Sequence, residues 1–247
     1  MAFQRLSLFY IVSSFCPSWV STKRRADHFP LVPLNNLLNA ITTKPPSFFR
    51  SAVRYIFLQG SAQKLPPETV DTVLEACPGI VSLASAVSQS ISSRFSHPAK
   101  STFTRPLFRN ITHLEILDNS NRLPLELCTG LSLMPHLTHV AFNPIPKITR
   151  LFDALQANAR LQCIVLLSPP SFSAIPDEVL LHLDVRYVCI RQTDFNLDWL
   201  RGASTGEDYW TLADTFIAAK RAGRVDYSLH IITDIDNPES WPTESTC

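Results

Sequence analysis

His113, His139 and Cys163 stand 26 and 24 residues apart, and Glu115 follows two residues after the first of them. Imidazole nitrogen, thiolate sulfur and carboxylate oxygen are zinc-type ligands. Their spacing puts them on separate elements, so any joint chemistry depends on how those elements are laid side by side. If each is the third residue of a strand in one parallel sheet, they form a row with neighbours about 4.8 Å apart. A flat row does not converge tetrahedrally on a point, so no metal and no cofactor is expected from it. Its mixture of aromatic, polar and apolar groups suits a protein partner better. Other chemistry finds no motif: the sequence has no G-x-S-x-G, no H-E-x-x-H, no phosphate loop and no C-x-x-C. Asp234 and Asp236 flank Ile235, but a hard cation wants about six oxygens, and the pair reads as a solvated turn. No catalytic residue is expected.

The elements that carry the row are visible as a repeat. Ile111-Thr-His-Leu114-Glu-Ile116 returns as Leu137-Thr-His-Val140-Ala-Phe142 and as Leu161-Gln-Cys-Ile164-Val-Leu166. The pattern apolar-x-x-apolar-x-apolar also fits the copies starting at Val53, Ile80 and Val185, giving steps of 27, 31, 26, 24 and 24 residues. Such steps hold one strand and one helix or irregular return. Helical spacing fills several returns: Thr69 to Ala76, Leu125 to Leu133, and Ile148 to Ala159 with Leu151, Phe152 and Leu155 on one side. Stacked units of this kind bury one another's apolar faces and place parallel strands in sequence order. The phrase resembles the core of leucine-rich repeats in degenerate form, since only Asn119 stands where regular repeats carry asparagine or cysteine. The resemblance implies an α/β, irregular leucine-rich-repeat-like solenoid with parallel strands. The alternative architecture is an open α/β sheet holding an enzyme site of unrecognised type.

Within the phrase the fourth and sixth residues point to the core, so the third, fifth and seventh face the open side. The expected partner-binding face is therefore His113, Glu115, His139, Ala141, Cys163, Val165, Tyr187 and Arg191.

The chain has 247 residues, 45% hydrophobic and 17% charged, enough apolar material for a sizeable core in one domain. A net charge of +1 gives no general attraction to nucleic acid or anionic membrane, and neither is expected as a partner. Six cysteines (Cys16, Cys77, Cys128, Cys163, Cys189, Cys247) form no disulfide framework, which favours an intracellular, cytoplasmic or nuclear, protein with reduced thiols. A secreted repeat protein is the minority reading: Leu6 to Phe15 behind Arg5 has signal-peptide character, and Asn110-Ile-Thr112 is a glycosylation sequon that would matter only then.

Residues 1–29 read as an F-box-like helical segment, an N-terminal cap or a signal peptide. Within them, the order apolar helix, Cys16, Trp19, Arg24-Arg25 and Phe29 resembles the last third of an F-box. Residues 30–52 read as a proline-bearing connector with a helical patch from Leu34 to Ala40, and 53–193 as the solenoid. Residues 194–236 read as C-terminal capping helices and a strand: Asp194 to Trp199, Glu207 to Ala222 with Thr205 as cap and Gly223 as stop, and Tyr227 to Ile232. Residues 237–247 read as a loose tail. The phrase from Glu207 to Gly223 is similar to the closing segment of fungal proteins of the F-box and leucine-rich-repeat type. That family resemblance implies a substrate receptor of a cullin-type ubiquitin ligase, with the repeats holding a protein substrate. It also implies docking of the Skp adaptor only once a Leu-Pro-x-Glu opening helix is supplied upstream.

Overall fold

The computed structural model describes residues 8–13, 32–59, 67–85, 108–117, 130–143, 149–168, 184–191, 194, 198–199, 201–202, 205–233 and 241. Among these, nine strands form one sheet: β1 (Leu8–Ser13), β2 (Val32–Pro33), β3 (Val53–Gln59), β4 (Ser82–Ser85), β5 (His113–Leu117), β6 (His139–Asn143), β7 (Cys163–Ser168), β8 (Tyr187–Arg191) and β9 (Ile231–Thr233). Their spatial order is β2-β1-β3-β4-β5-β6-β7-β8-β9. Strands β3 to β9 are parallel and follow one another in sequence, as the repeat predicts for its six copies. The helices are α1 (Leu34–Thr43), α2 (Pro46–Ala52), α3 (Pro67–Ala76), α4 (Thr149–Ala157) and α5 (Tyr209–Arg221).

The repeat is a turn followed by a strand. The backbone N–H groups of Ile80, Ile111, Leu137 and Leu161 each donate to the carbonyl three residues earlier, on Cys77, Phe108, Met134 and Asn158. This turn drops the first apolar anchor into the core, and all four are buried. The strand proper opens two residues later. There the N–H groups of Thr112 and His113 share Val81 O, those of Thr138 and His139 share Thr112 O, and those of Gln162 and Cys163 share Thr138 O. Successive copies are thus joined by the same two-to-one contact.

The register holds from β4 to β7, with Leu83, Leu114, Val140 and Ile164 side by side, and then departs from the phrase by one residue. Ile164 pairs with Tyr187 instead of Val188. A slip of one residue sends every side chain of a strand to the other face. The turn before β8 is responsible. Here Tyr187, not Val185, makes the bond to the carbonyl three residues back, on Asp184. Asp184 also receives the N–H and guanidinium of Arg186, whose other contacts reach the carbonyls of Gln156, in the last turn of α4, and of Asn158 and Leu161 beyond it. An ion-paired turn, stapled to the preceding helix, outranks the hydropathy pattern.

Both faces of the sheet are covered. On one, Leu37 of α1, Phe49 of α2, Val73 and Leu74 of α3, Leu131 of the helical residues 130–133 and Leu151, Phe152 and Leu155 of α4 pack on Ile56, Leu83, Leu114, Val140, Ile164 and Leu166. On the other, α5 lays Tyr209, Trp210, Ala213, Phe216 and Ile217 on Ala141, Cys163, Val165, Leu167, Val188 and Ile190. The connection from β8 to β9 therefore crosses the opposite face from α3 and α4.

Several expectations are revised. Residues 8–13 form a strand between β2 and β3, antiparallel to both, where an F-box-like helix was among the expectations; the run Phe9-Tyr10-Ile11-Val12 is aromatic and β-branched, types that fit a strand. Residues 30–52 contain two core helices: the expected patch from Leu34 runs on to Thr43 as α1, and α2 follows where only connector was expected. The last strand begins at Ile231, because Asp226 binds the N–H and hydroxyl of Ser228 and holds that stretch as a turn. The Asp234–Asp236 pair lies outside the described residues.

Candidate functional site

The site is the seam between β5, β6 and β7 and the first two turns of α5. Asp208, not Thr205, caps the helix: its side chain accepts from the N–H groups of Trp210 and Thr211. Thr205 Oγ1 instead accepts from Glu207 N in the preceding turn. Asp198, also buried, accepts the N–H of Tyr209 at 2.9 Å and pairs with Arg201, so two carboxylates anchor the start of α5. Gly223, with φ of +66°, ends the helix in the left-handed conformation that glycine adopts most readily.

From this start Tyr209 and Trp210 reach down onto the sheet. The Tyr209 hydroxyl donates to Glu115 Oε2 at 2.8 Å; among the described residues Glu115 Oε1 has no hydrogen-bond partner. Burial raises the Glu115 carboxyl well above its ordinary range and likewise raises the Tyr209 hydroxyl. Trp210 stands edge-on to two stacked imidazoles, His113 and His139, whose ring centres are 4.1 Å apart. Burial, and then the neighbouring His139, lower His113 to about 4. One turn along α5, Asp214 sets its carboxylate oxygens 3.0 and 3.2 Å from His139 Nε2. Cys163 is fully buried beside this pair, and burial raises its thiol well above the usual value.

The residues expected on an open face are distributed differently. Glu115, His139, Ala141, Cys163 and Val165 do share one face, with His113 half-buried at its start, but α5 lies over them. Further along the same face, Phe57 of β3 packs against Trp199. Tyr187 belongs to the opposite face: it packs against Phe152 and donates its hydroxyl to Phe152 O at 3.4 Å. Arg191, half-buried, alternates to that side with Tyr187 and Cys189. The C-terminal helix lies on the sheet face, where a cap at the end of the row was expected.

Sequence reasoning missed Asp214, Asp208 and Tyr209. The signal was present in Cys163-Ile-Val-Leu-Leu167, which has no polar alternation and is the mark of a strand buried on both faces. A cover for that second face had to exist, and the amphipathic stretch after Glu207 was the nearest candidate.

The fold defines the chain as an α/β protein with a parallel sheet. Comparison with family models, with curated proteins and with solved structures finds no match to it. Among the described residues no helix is long and apolar enough to cross a membrane.

Proposed function

We propose that the chain is an intracellular protein–protein interaction module built as an irregular leucine-rich-repeat-like solenoid, resembling the substrate-recognition part of an F-box ubiquitin-ligase receptor. The observation that carries this reading is the unbroken sequence order of the parallel strands, with α3, residues 130–133 and α4 all on one side. Open α/β enzymes bind their ligands where the strand order reverses. Strands β3 to β9 have no such reversal. Docking of the Skp adaptor forms no part of this reading, since residues 8–13 pair with β3 as a strand.

The partner meets the outer side of α5, where Thr211, Thr215, Ala218 and Arg221 are exposed. Reaching the strands beneath would mean lifting Tyr209, Trp210, Phe216 and Ile217 out of the core, at about 1.5 to 3 kcal/mol each. That sum, roughly 6 to 12 kcal/mol, would consume most of the free energy of an ordinary interface. The test is to recover partners with the full chain under cross-linking and to titrate the purified partner against wild type, Thr215→Arg and Ala218→Arg. Saturable binding weakened about tenfold or more by these changes supports the proposal. Binding unchanged by both would contradict it.

A further inference from the structure

The row of His113, His139 and Cys163 lacked a ligand out of its own plane, and α5 supplies one. A nitrogen of His139 on β6, Cys163 Sγ on β7 and a carboxylate oxygen of Asp214 on α5 all lie within 4.8 Å of one another. A tetrahedral zinc ion with bonds of about 2.0 to 2.3 Å spaces its ligand atoms roughly 3.3 to 3.8 Å apart. The 3.0 and 3.2 Å separations of Nε2 from the two Asp214 oxygens are already close to such an edge. The ligands come from three elements and enclose a volume instead of lying in a line.

Proton accounting at His139 points the same way. Thr138 Oγ1 lies 2.7 Å from His139 Nδ1 and 3.3 Å from Thr112 O. The hydroxyl has one proton and the carbonyl can only accept, so the tautomer in which Thr138 donates to Thr112 has Nδ1–H donating to Thr138. The copy before repeats the arrangement, with Thr112 between Val81 O and His113 Nδ1. In that tautomer Nε2 carries the lone pair a metal needs, on the side of the Asp214 carboxylate. A proton on Nε2 satisfies the Asp214 contact alone, whereas a cation there also engages the sulfur of Cys163. A ring nitrogen oriented by a hydrogen bond at its other nitrogen is the usual support for a metal-binding histidine. A nucleophile triad fits less well, because Nδ1 is held by threonine, so the ring does not stand as a relay between Asp214 and Cys163, and the thiol is fully buried.

We propose that His139, Cys163 and Asp214 form a site for one zinc-type divalent cation, with water from the Asp214 side as fourth ligand, and that the ion pins α5 to β6 and β7. The Asp214 side chain is 54% exposed, which leaves the ion a path from solvent. On binding, the Cys163 thiol proton leaves to solvent and the thiolate binds the ion.

The full chain, reduced and stripped of metal, is titrated with Co²⁺ alone and then with Zn²⁺. The expected result is uptake of one equivalent with thiolate-to-cobalt charge-transfer absorption, bleached by Zn²⁺. Cys163→Ala should abolish that absorption. Asp214→Ala, a change at an exposed helix position, should fold normally and weaken cobalt binding more than about tenfold. Any of three results overturns the proposal: no stoichiometric uptake by folded wild type, thiolate absorption that survives Cys163→Ala, or unchanged affinity in Asp214→Ala.

Discussion

The Tyr209 hydroxyl and the Glu115 carboxyl, both buried, meet at 2.8 Å and join residues 94 positions apart in sequence. One sits in the middle of β5 and the other is the first residue of α5. The bond ties the repeat region to the C-terminal helix, alongside the contact between His139 and Asp214.

Burial raises the Glu115 pKa, so the folded protein holds this proton more tightly than the unfolded chain. Its contribution to stability is therefore fully present below the ordinary carboxylate range and is lost as pH rises toward the folded value. Glu115→Gln cannot ionise. The stability difference between this variant and wild type should shift in favour of the variant as pH rises above about 4.5, by at most about 1.4 kcal/mol per pH unit. Urea denaturation from pH 5 to 8 checks this; a difference that does not change with pH would show that Glu115 is not sealed beneath α5.

His113 has the opposite sign. Its folded pKa is lowered from 6.5 to about 4, so the fold favours the neutral ring. The stability it contributes is present above pH 6.5 and is lost as pH falls from there to about 4. His113→Asn should flatten the acid limb of the stability profile within that window while leaving the limb above pH 7 parallel to wild type. An acid limb of unchanged steepness would contradict the burial of this ring beside Trp210.

The packing of α5 separates two adjacent residues. Phe216 is fully buried against Trp241 and the second core, whereas Thr215 is exposed. Phe216→Ala should cost about 3 to 5 kcal/mol and Thr215→Ala less than about 0.5. Similar costs for the two would mean the helix is rotated from the orientation described.

Much of the architecture was legible in the sequence because the repeat controls it locally. The apolar anchors and the strand order from β3 to β8 follow from short-range pattern. Two features lie outside what the spacing of the repeat specifies. The face taken by Tyr187 depends on the Asp184–Arg186 turn, whose hold on the carbonyls of Gln156, Asn158 and Leu161 is made by side-chain donors that hydropathy does not register. The cover over His139 and Cys163 depends on a helix that returns across β8, and nothing in the spacing of the strand phrases says which face a later helix takes. Of the candidate site, the row of side chains was visible and Asp214 above it was not.

The slip at β8 has its own test. Tyr187→Ala should destabilise by about 3 to 5 kcal/mol, as loss of a buried aromatic does, and Val185→Ala by about 1 kcal/mol or less, since Val185 is only half-buried in the turn. Thermal or urea unfolding of the two variants decides it. The reverse ranking would restore the register implied by the hydropathy phrase.

The most direct test of the account is whether α5 closes the strand face in solution. Cys163 lies on that face and is inaccessible solely while the helix is in place. Native-state thiol labelling, carried out with a chelator present and resolved by peptide mass, should leave Cys163 unmodified until the protein unfolds globally, with labelling that tracks the denaturation curve. Rapid labelling of Cys163 in the folded protein, while Cys77 in the opposite core stays protected, would show an open strand face and contradict the account.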